Sequence, residues 1–297
     1  MSRYLVTGAA GFIGSHLVEA LLARGDSVVA VDSFTDYYDP SLKEENARDF
    51  EVVRLDVAED DLPLEGVDGV FHLAAQPGVR PSFEQLEVYL RRNVLATQRV
   101  LEQVQTRVVY ASSSSVYGDA ETYPTPESAR PSPISPYGIT KLACEHLARA
   151  CGGDVVGLRY FTVYGPRQRP DMAFAKLVGA ALDGCEFELY GDASRSFTYV
   201  ADAVAATIAA MERGATAAIY NVGGGEEATM REAIGVLERV SGRRLDVRAR
   251  PAARGDAKRT AADVSLIARD LGWAPATRLE DGLAAQWSWA VDRVAAR

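Results

Sequence analysis

The sequence predicts an α/β protein in which a parallel sheet carries helices on both faces. Three observations predict it. A glycine-rich turn joins an apolar run to a helical pattern near the start, short apolar runs then alternate with helical segments, and polar residues directly follow several of those runs. A chain of 297 residues with 47% hydrophobic content can also bury a large core.

The first element is a short apolar run, Tyr4 to Val6, which predicts a buried strand. Glycines follow at Gly8, Gly11 and Gly14, and the periodic segment Phe12 to Leu22 predicts a helix. Glycine permits the sharp turn, the close approach of backbone to a ligand and the tight packing of helix on strand. Unpaired amides at the start of the helix would then face a pyrophosphate.

The second apolar run, Ser27 to Val31, ends in Asp32, a carboxylate suited to a ribose 2′-hydroxyl. Glycine-rich turns are common, so the alternative is an incidental turn. The strand–turn–helix context and the following carboxylate favour dinucleotide binding instead. Asp32 favours NAD over NADP, because a 2′-phosphate would meet its negative charge.

The remaining elements continue the alternation. The predicted strands are Phe50 to Leu55, Gly69 to Leu73, Arg107 to Ala111 and Val155 to Leu158, the predicted helices are Phe83 to Val104 and Tyr137 to Ala150, and the loops include Ser33 to Asp49 and Pro124 to Pro136. Ligands of such sheets bind at the carboxyl ends of the strands. We therefore expect Asp56, His72 to Gln76 and Ser112 to Ser115 at the binding edge.

Beyond Gly165 the pattern loosens and the predicted strands become shorter. We expect residues 1–165 to form a Rossmann-type NAD-binding domain with a doubly wound parallel sheet, to which later segments near 192–222 return. We expect residues 166–297 to form mainly a smaller C-terminal substrate-binding lobe.

Composition limits the classes of function. The net charge of −9 argues against a nucleic-acid partner or an anionic membrane surface. No apolar run reaches membrane-spanning length, and Arg3 leads directly into a predicted strand rather than a signal sequence. The three cysteines show no Cys-x-x-Cys spacing, and the three histidines lie far apart. We expect a cytoplasmic protein without a metal ion.

The chemistry is predicted by Ser135-Pro-Tyr137-Gly-Ile-Thr-Lys141. Tyr137 and Lys141 are four residues apart and would share one face of a helix. An ammonium group and an oxidised nicotinamide ring both favour phenolate over phenol, so the tyrosine could take a proton from a sugar hydroxyl while hydride leaves the same carbon. Such a pair also occurs by chance, but here it follows a dinucleotide fingerprint and a serine cluster.

These segments resemble the nucleotide-sugar epimerase/dehydratase group of the extended short-chain dehydrogenases/reductases. The matching residues span about two-thirds of the chain in the family's order: Thr7 to Leu17, Asp32, Leu55 to Val57, His72 to Gln76, Asn93, Tyr110 to Gly118, Tyr137 to Lys141, Leu158 to Pro166 and Arg195 to Val200. The resemblance implies bound NAD, a nucleoside diphosphate-sugar under the C-terminal lobe, and a homodimer formed by the Phe83 to Val104 and Tyr137 helices.

The resemblance also implies roles for individual residues. Ser113 would hydrogen-bond the reacting sugar oxygen, Tyr137 would be the acid/base, and Lys141 would hold the nicotinamide ribose. The implied cofactor-binding residues are Gly8, Gly11, Phe12, Ile13, Gly14, Asp32, Asp56, Val57, Leu73, Ala74, Ala75, Tyr137 and Lys141. The implied substrate-binding residues are Arg80, Ser113, Ser114, Ser115, Thr162, Arg169, Arg254, Asp256 and, at the diphosphate position, Arg195.

Two departures narrow the function within this group. Sugar 4,6-dehydratases carry an Asp-Glu pair at the positions of Ser114 and Ser115, and serine cannot shuttle protons near neutral pH. Galactose-type 4-epimerases usually have Asn at the position of Thr162. Together with Arg159 to Pro166 and Arg169 to Met172, these residues resemble most the UDP-glucuronate 4-epimerases, although some UDP-glucose 4-epimerases share parts of the set.

The expected reaction is oxidation at C4, rotation of the 4-keto intermediate and re-reduction on the opposite face. A carboxylate on C5 would make that intermediate a β-keto acid, so it must be restrained, and Ser114, Ser115 and an arginine could bind it. Arg169 is the first choice and Arg80 the second; a surface charge is the alternative for each. A UDP-glucose/UDP-galactose 4-epimerase remains an alternative function, and a non-catalytic dinucleotide sensor is disfavoured because Tyr137 and Lys141 are both present.

Overall fold

The computed structural model describes residues 1–224 and 226–295 of the chain. The strands in chain order are β1 (Arg3–Thr7), β2 (Ser27–Asp32), β3 (Val52–Arg54), β4 (Gly69–His72), β5 (Arg107–Ser113), β6 (Val155–Tyr160), β7 (Thr162–Tyr164), β8 (Phe187–Tyr190), β9 (Ser194–Tyr199), β10 (Ile219–Val222), β11 (Glu227–Thr229), β12 (Val247–Arg250) and β13 (Arg259–Thr260). The α-helices are α1 (Phe12–Ala23), α2 (Pro40–Asn46), α3 (Leu86–Tyr89), α4 (Ala96–Gln103), α5 (Pro136–Cys151), α6 (Ala173–Asp183), α7 (Val200–Arg213), α8 (Met230–Ser241), α9 (Ser265–Leu271) and α10 (Leu279–Ala295).

A seven-stranded sheet in the described residues has the order β10-β6-β5-β4-β1-β2-β3, and every pair in it is parallel. The strand order reverses beside β1, because β2 and β3 lie on one side of it and β4, β5 and β6 on the other. At such a reversal the connections leave in opposite directions and open a crevice at the carboxyl ends of the strands. The predicted fold class is confirmed.

Successive residues of each central strand enter different cores, as the two-residue period of a strand requires. Leu5, Val70 and Val108 pack with α4 and α5 on one face of the sheet. Their neighbours Val6, Phe71 and Val109 pack with α1, α7 and α9 on the other face. Both faces of the sheet are therefore covered, which explains why its strands read as continuous apolar runs.

A further hydrophobic cluster lies outside the main sheet. It joins α6, α8 and α10 to β8 and β9, with Phe174, Leu177, Phe187, Leu237 and Leu283 fully or almost fully buried. β9 pairs with β7, β11 and β13, and β8 pairs with β12. These short strands agree with the looser pattern after Gly165.

Three expectations about individual elements were wrong. The predicted helix Phe83 to Val104 begins with a 3₁₀ turn at Pro81–Phe83 and is interrupted by a π-helical segment at Leu90–Leu95 between α3 and α4. The predicted strand Phe50 to Leu55 shortens to Val52–Arg54 at the sheet edge. The loop after Asp32 contains α2, whose start is capped by the Asp39 carboxylate accepting from the Ser41 amide.

β10 lies beside β6 in the main sheet, and α7 packs on the same sheet through its apolar face. α7 and β10 lie within the segment near 192–222 that we expected to return, whereas β9, in the same segment, pairs outside the main sheet. The division into domains, with its boundary at residue 165, stays a prediction. Across the described ranges, 1–224 and 226–295, no helix combines the length and the apolar character needed to cross a membrane.

Candidate functional site

A cavity of about 1120 Å³ opens at the carboxyl ends of the parallel strands. It is lined by every residue that the sequence assigned to the site except Arg254: Gly8, Gly11, Phe12, Ile13, Gly14, Asp32, Asp56, Val57, Leu73, Ala74, Ala75, Arg80, Ser113, Ser114, Ser115, Tyr137, Lys141, Thr162, Arg169, Arg195 and Asp256. Residues far apart in sequence, such as Gly8 and Arg195, which are 187 positions apart, therefore line the same cavity.

The glycine turn fits a dinucleotide for steric reasons. A Cβ on Gly14 would lie 2.0 Å from the Gly8 carbonyl oxygen, so α1 packs against β1 more closely than any side chain permits. Gly8 has a φ of +71° and sits against the backbone of Ala74. Gly11 precedes α1 without a side-chain cap, which leaves amides at the helix start available to a pyrophosphate.

Asp32 ends β2 and is almost fully buried. Its Oδ2 accepts from the Ala10 amide at 3.1 Å, and its Oδ1 accepts from the Phe34 amide at 2.8 Å. Lys43 of α2 lies 3.5 Å from Oδ1 and donates to Thr35 at 3.2 Å. Burial lowers the pKa of Lys43, and the Asp32 carboxylate opposes that shift. A carboxylate and an ammonium group side by side suit the hydroxyls of a ribose.

The sequence pattern does not identify Lys43, because it predicts a loop where the structure has α2. The Asp39-Pro40 pair is a helix-start signature that could have revealed it. Tyr37 and Tyr38, from the same segment, also line the cavity.

Tyr137 lies at the start of α5, where contacts of the backbone and of the ring hold the residue in place. The Ser135 hydroxyl caps the helix by accepting from the Gly138 amide at 3.1 Å, and Pro136 occupies the first turn. The Tyr137 amide donates to the Ser82 hydroxyl at 3.1 Å. The Tyr137 ring meets Tyr89 edge to face at 6.2 Å. The phenol is therefore carried by a rigid helix start.

Lys141 is buried on the same helix and faces the same cavity. Its ammonium group donates to the Ala111 carbonyl at 2.9 Å, a partner on β5 that sequence reasoning did not identify. Behind it lies His72, whose pKa is lowered to about 3 by burial and by the charge of Lys141. The histidine therefore stays neutral at neutral pH.

The serine loop continues β5 into a short 3₁₀ turn at Ser114–Val116. The Ser113 hydroxyl accepts from the Ser115 amide at 3.1 Å, which holds the turn. A Cβ on Gly138 would lie 2.4 Å from the Ser115 carbonyl oxygen, so the start of α5 rests directly on this loop. Ser112 also lines the cavity, and its hydroxyl donates to Glu145 at 2.5 Å.

A buried ion pair supports the loop from behind. Arg159 of β6 binds Glu145 of α5 through two parallel hydrogen bonds of 2.9 and 2.7 Å, and both side chains are 5% exposed. Arg159 also donates to the Tyr117 hydroxyl at 2.7 Å, which in turn donates to Asn221 at 2.7 Å. The network joins β5, β6, β10 and α5 beside the cavity.

Arg169 follows β7 and lines the cavity, but it is already paired. Its Nε and Nη2 donate to the two oxygens of Asp171 at 3.0 and 3.1 Å. The Tyr37 hydroxyl donates to the same carboxylate at 3.2 Å. Asp171 and Tyr37 were not among the residues that the sequence assigned to the site.

The other predicted substrate-binding arginines differ in position. Arg80 donates to Asp256 at 2.9 Å and lies 4.6 Å from the Tyr190 ring centroid. Arg195 is half-buried, and burial lowers its pKa while Asp256 opposes that shift. Arg254 stacks on Phe83 at 4.3 Å and is not among the cavity-lining residues. Its assignment to the site finds no support in this geometry.

The sheet reversal, the glycine turn and the Tyr137–Lys141 helix define a dinucleotide-dependent α/β enzyme of the extended short-chain dehydrogenase/reductase type. A profile of the NAD dependent epimerase/dehydratase family matches residues 4–223, and the chain belongs to this family. The cofactor of this enzyme is NAD, which the glycine turn and Asp32 fit sterically and electrostatically.

The relatives extend over nearly the whole chain. The uncharacterized UDP-glucose epimerase YtcB of Bacillus subtilis is 40% identical over 306 residues, covering 95% of both chains. A UDP-glucuronate 4-epimerase of Thermodesulfobacterium geofontis is 33% identical and covers 99% of this chain and 98% of the relative. The crystal structure of the UDP-glucuronic acid 4-epimerase of Bacillus cereus with UDP-glucuronic acid and NAD is 38% identical, with a TM-score of 0.94, and covers 98% of this chain and 99% of that one.

Proposed function

We propose that this enzyme is a UDP-glucuronate 4-epimerase, which interconverts UDP-glucuronate and UDP-galacturonate with NAD as cofactor. The observation that carries the proposal is the composition of one cavity, in which Ser113, Ser114 and Ser115 lie with Arg169, Tyr137 and Lys141. The three serines and Arg169 can bind a carboxylate by charge-assisted hydrogen bonds. Tyr137 and Lys141 can move the proton of a sugar hydroxyl. Relatives of 33% and 38% identity that carry this name support the proposal.

The roles of the residues follow from their chemistry. Tyr137 takes the proton from the O4 hydroxyl during oxidation and returns it during reduction. Lys141, fixed by the Ala111 carbonyl, supplies the positive charge that favours the phenolate. The Ser113 hydroxyl hydrogen-bonds the same sugar oxygen. Bound NAD supplies a reversible hydride acceptor.

The serine loop determines what the keto sugar does next. A 4-keto sugar with a carboxylate on C5 is a β-keto acid and loses CO2 when the bond to the carboxylate overlaps the ketone π system. Ser114, Ser115 and Arg169 would hold the carboxylate out of that alignment. Because the serines cannot act as general acid or base, the product should retain every carbon and oxygen substituent, with no 4-keto-6-deoxy sugar.

The proposal is tested by supplying UDP-glucuronate and UDP-glucose separately and identifying the products by NMR. We expect UDP-galacturonate from the first substrate and much slower turnover of the second. A hydrogen bond to a charged group contributes roughly 1.5–3 kcal/mol, so the preference should be about ten- to a hundredfold or slightly more. Arg169→Ala should reduce that preference and release more decarboxylated keto-pentose.

A preference of the wild-type enzyme for UDP-glucose would contradict this assignment and favour the galactose-type alternative. That alternative has a relative of its own, since the Bacillus subtilis protein is named as a UDP-glucose epimerase. A deoxy sugar as the principal product from a dTDP- or GDP-hexose would exclude both epimerase functions.

We also propose that the enzyme forms a homodimer through α3, α5 and the π-helical segment between α3 and α4. Leu86, Leu90 and Ile139 are 45%, 47% and 54% exposed on these neighbouring elements. Leu86 and Leu90 are four residues apart and lie on one side of the helical run. Apolar side chains grouped on packed helices mark an interaction surface.

A further inference from the structure

We infer that Asp171, held by Tyr37, is a positioning residue that sets the preference of the enzyme for a carboxylate-bearing sugar by orienting the guanidinium of Arg169. The inference rests on the proposed function, since it concerns how the same cavity would recognise a uronate. It starts from the three side chains, which line the cavity together and contact one another.

The backbone brings Arg169 and Asp171 together. The Met172 amide donates to the Arg169 carbonyl at 3.0 Å, which closes a turn immediately before α6. Within this turn the Asp171 carboxylate accepts two charge-assisted hydrogen bonds from one edge of the Arg169 guanidinium. The Arg169 side chain therefore cannot rotate without breaking both bonds. Asp171 engages Nε and Nη2, which leaves the hydrogens of Nη1 for a ligand.

Tyr37 fixes the carboxylate in turn. Its hydroxyl donates to Asp171 across 134 positions of sequence, from the segment that follows Asp32. A Cβ on Gly78 would lie 2.3 Å from the Tyr37 hydroxyl oxygen, so the phenol is packed against the Gly78 backbone on its other side. Burial, followed by the charge of Asp171, raises the pKa of Tyr37 to about 12, so the hydroxyl remains a donor at neutral pH.

The arrangement makes a distinctive electrostatic prediction. Asp171 is a negative group close to the place where we put the substrate carboxylate, so by charge alone its removal would strengthen uronate binding. If its function is to aim Arg169, its removal weakens uronate binding instead, because the guanidinium loses its fixed direction. The two roles therefore predict opposite changes in KM.

The experiment measures kcat and KM of Asp171→Asn with UDP-glucuronate and with UDP-glucose. We expect kcat/KM for UDP-glucuronate to fall about 10- to 100-fold, mainly through a higher KM, as expected when one charged hydrogen bond is lost. UDP-glucose turnover should change less than about threefold, and the fraction of decarboxylated keto-pentose should rise. Asp171→Glu, which keeps the carboxylate, should recover most of the loss.

Two further variants keep the test decisive. Tyr37→Phe removes only the outer hydrogen bond and should lower kcat/KM for UDP-glucuronate about three- to tenfold, with the same selectivity, even if Asp171→Asn fails to fold. Glu19→Gln is the matched control. It breaks the ion pair of 2.6 Å between Glu19 and Arg167. Arg167 is close to Arg169 in the chain, but neither Glu19 nor Arg167 lines the cavity. The kcat/KM values for both substrates should therefore stay unchanged.

An unchanged or lower KM for UDP-glucuronate in Asp171→Asn would overturn the inference, as would an equal loss with both substrates. These results differ from a failure of the proposed function. If the wild-type enzyme itself prefers UDP-glucose, the uronate assignment fails and the role of Asp171 falls with it. If the wild type prefers UDP-glucuronate and the variants lose kcat/KM equally with both substrates, only the positioning role of Asp171 is excluded.

Discussion

Tyr137 combines a titratable oxygen with a backbone that cannot move freely. Its amide is held by Ser82, the helix is capped by Ser135, and its ring packs on Tyr89. The backbone and the ring of Tyr137 thus hold the residue in place, while its hydroxyl oxygen would transfer the proton. The hydroxyl can therefore be removed with little change to the helix.

Tyr137→Phe should lose about 10²–10⁴-fold in kcat, the usual contribution of a positioned acid/base. The variant should still bind NAD, because the ring contact and the helix cap remain. Single-turnover kinetics and the nucleotide content of the purified protein test both statements. Turnover close to wild type would remove Tyr137 from the role proposed for it.

Titration of the buried His72 should affect the free energy of unfolding. Its Nδ1 lies 2.8 Å from the Thr7 hydroxyl and its Nε2 lies 3.2 Å from the Thr97 hydroxyl, which donates to Cys144. Burial and the charge of Lys141 lower its pKa from 6.5 to about 3. Below about pH 6.5 His72 therefore binds a proton in the unfolded chain, whereas in the folded chain it stays neutral until the pH approaches 3.

The resulting stability is fully present above about pH 6.5 and is lost as the pH falls towards 3. Each pH unit in that window should cost up to about 1.4 kcal/mol of unfolding free energy. Urea unfolding at pH 7, 6 and 5 should show a steeper loss for wild type than for His72→Gln. Substitution of the exposed His146 provides the control. An unfolding free energy of His72→Gln that fell with pH as steeply as that of wild type would contradict the argument.

At the scale of elements, the contact between α5 and the serine loop is the critical one. No residue other than glycine fits at position 138, because a Cβ there would lie 2.4 Å from the Ser115 carbonyl oxygen. This contact sets the distance between the helix that carries Tyr137 and Lys141 and the loop that carries Ser113. A shift at this contact would move the three side chains relative to one another.

Gly138→Ala should force α5 and the loop apart and cost roughly 1–3 kcal/mol of unfolding free energy, the range for overpacking. Activity should fall more than NAD binding, since the displaced groups face the sugar. Gly235→Ala in α8 is a matched control, because a Cβ there meets only the end of the Arg239 side chain at 3.8 Å. If both variants unfolded at the same urea concentration, the close-packing argument would be wrong.

At the scale of the whole molecule, the exposed apolar face on α3 and α5 should control assembly. Leu90→Glu combined with Ile139→Glu should shift the proposed dimer to monomer, because four carboxylates, two from each subunit, would be buried in the interface. Sedimentation equilibrium measures the change. Val294→Glu in α10, where the side chain is 59% exposed, should leave the mass unchanged. A monomeric wild-type protein would rule out the proposed dimer.

The sequence by itself determined the fold class, the glycine turn, Asp32 and the Tyr137–Lys141 pair. These features depend on interactions between residues close together in the chain: strand and helix periodicity, backbone freedom at glycine, and the four-residue spacing of a helix. The same local rules failed for the segment Phe83 to Val104, because its π-helical interruption coincides with Asn93, whose side chain binds Gln76 and Thr140 from other elements.

Only the tertiary structure decided which charged groups meet. The sequence predicted Arg169 as the carboxylate-binding residue, and the family resemblance added Arg254. Arg169 lines the cavity with Asp171 and Tyr37, while Arg254 lies on Phe83 outside the lining. Likewise the partner of Lys141 is a carbonyl on β5, and Lys43 of α2 lies against Asp32, a contact between residues on separate elements. The physical reason is that long polar side chains take their direction from partners far away in sequence, and no local periodicity encodes those partners.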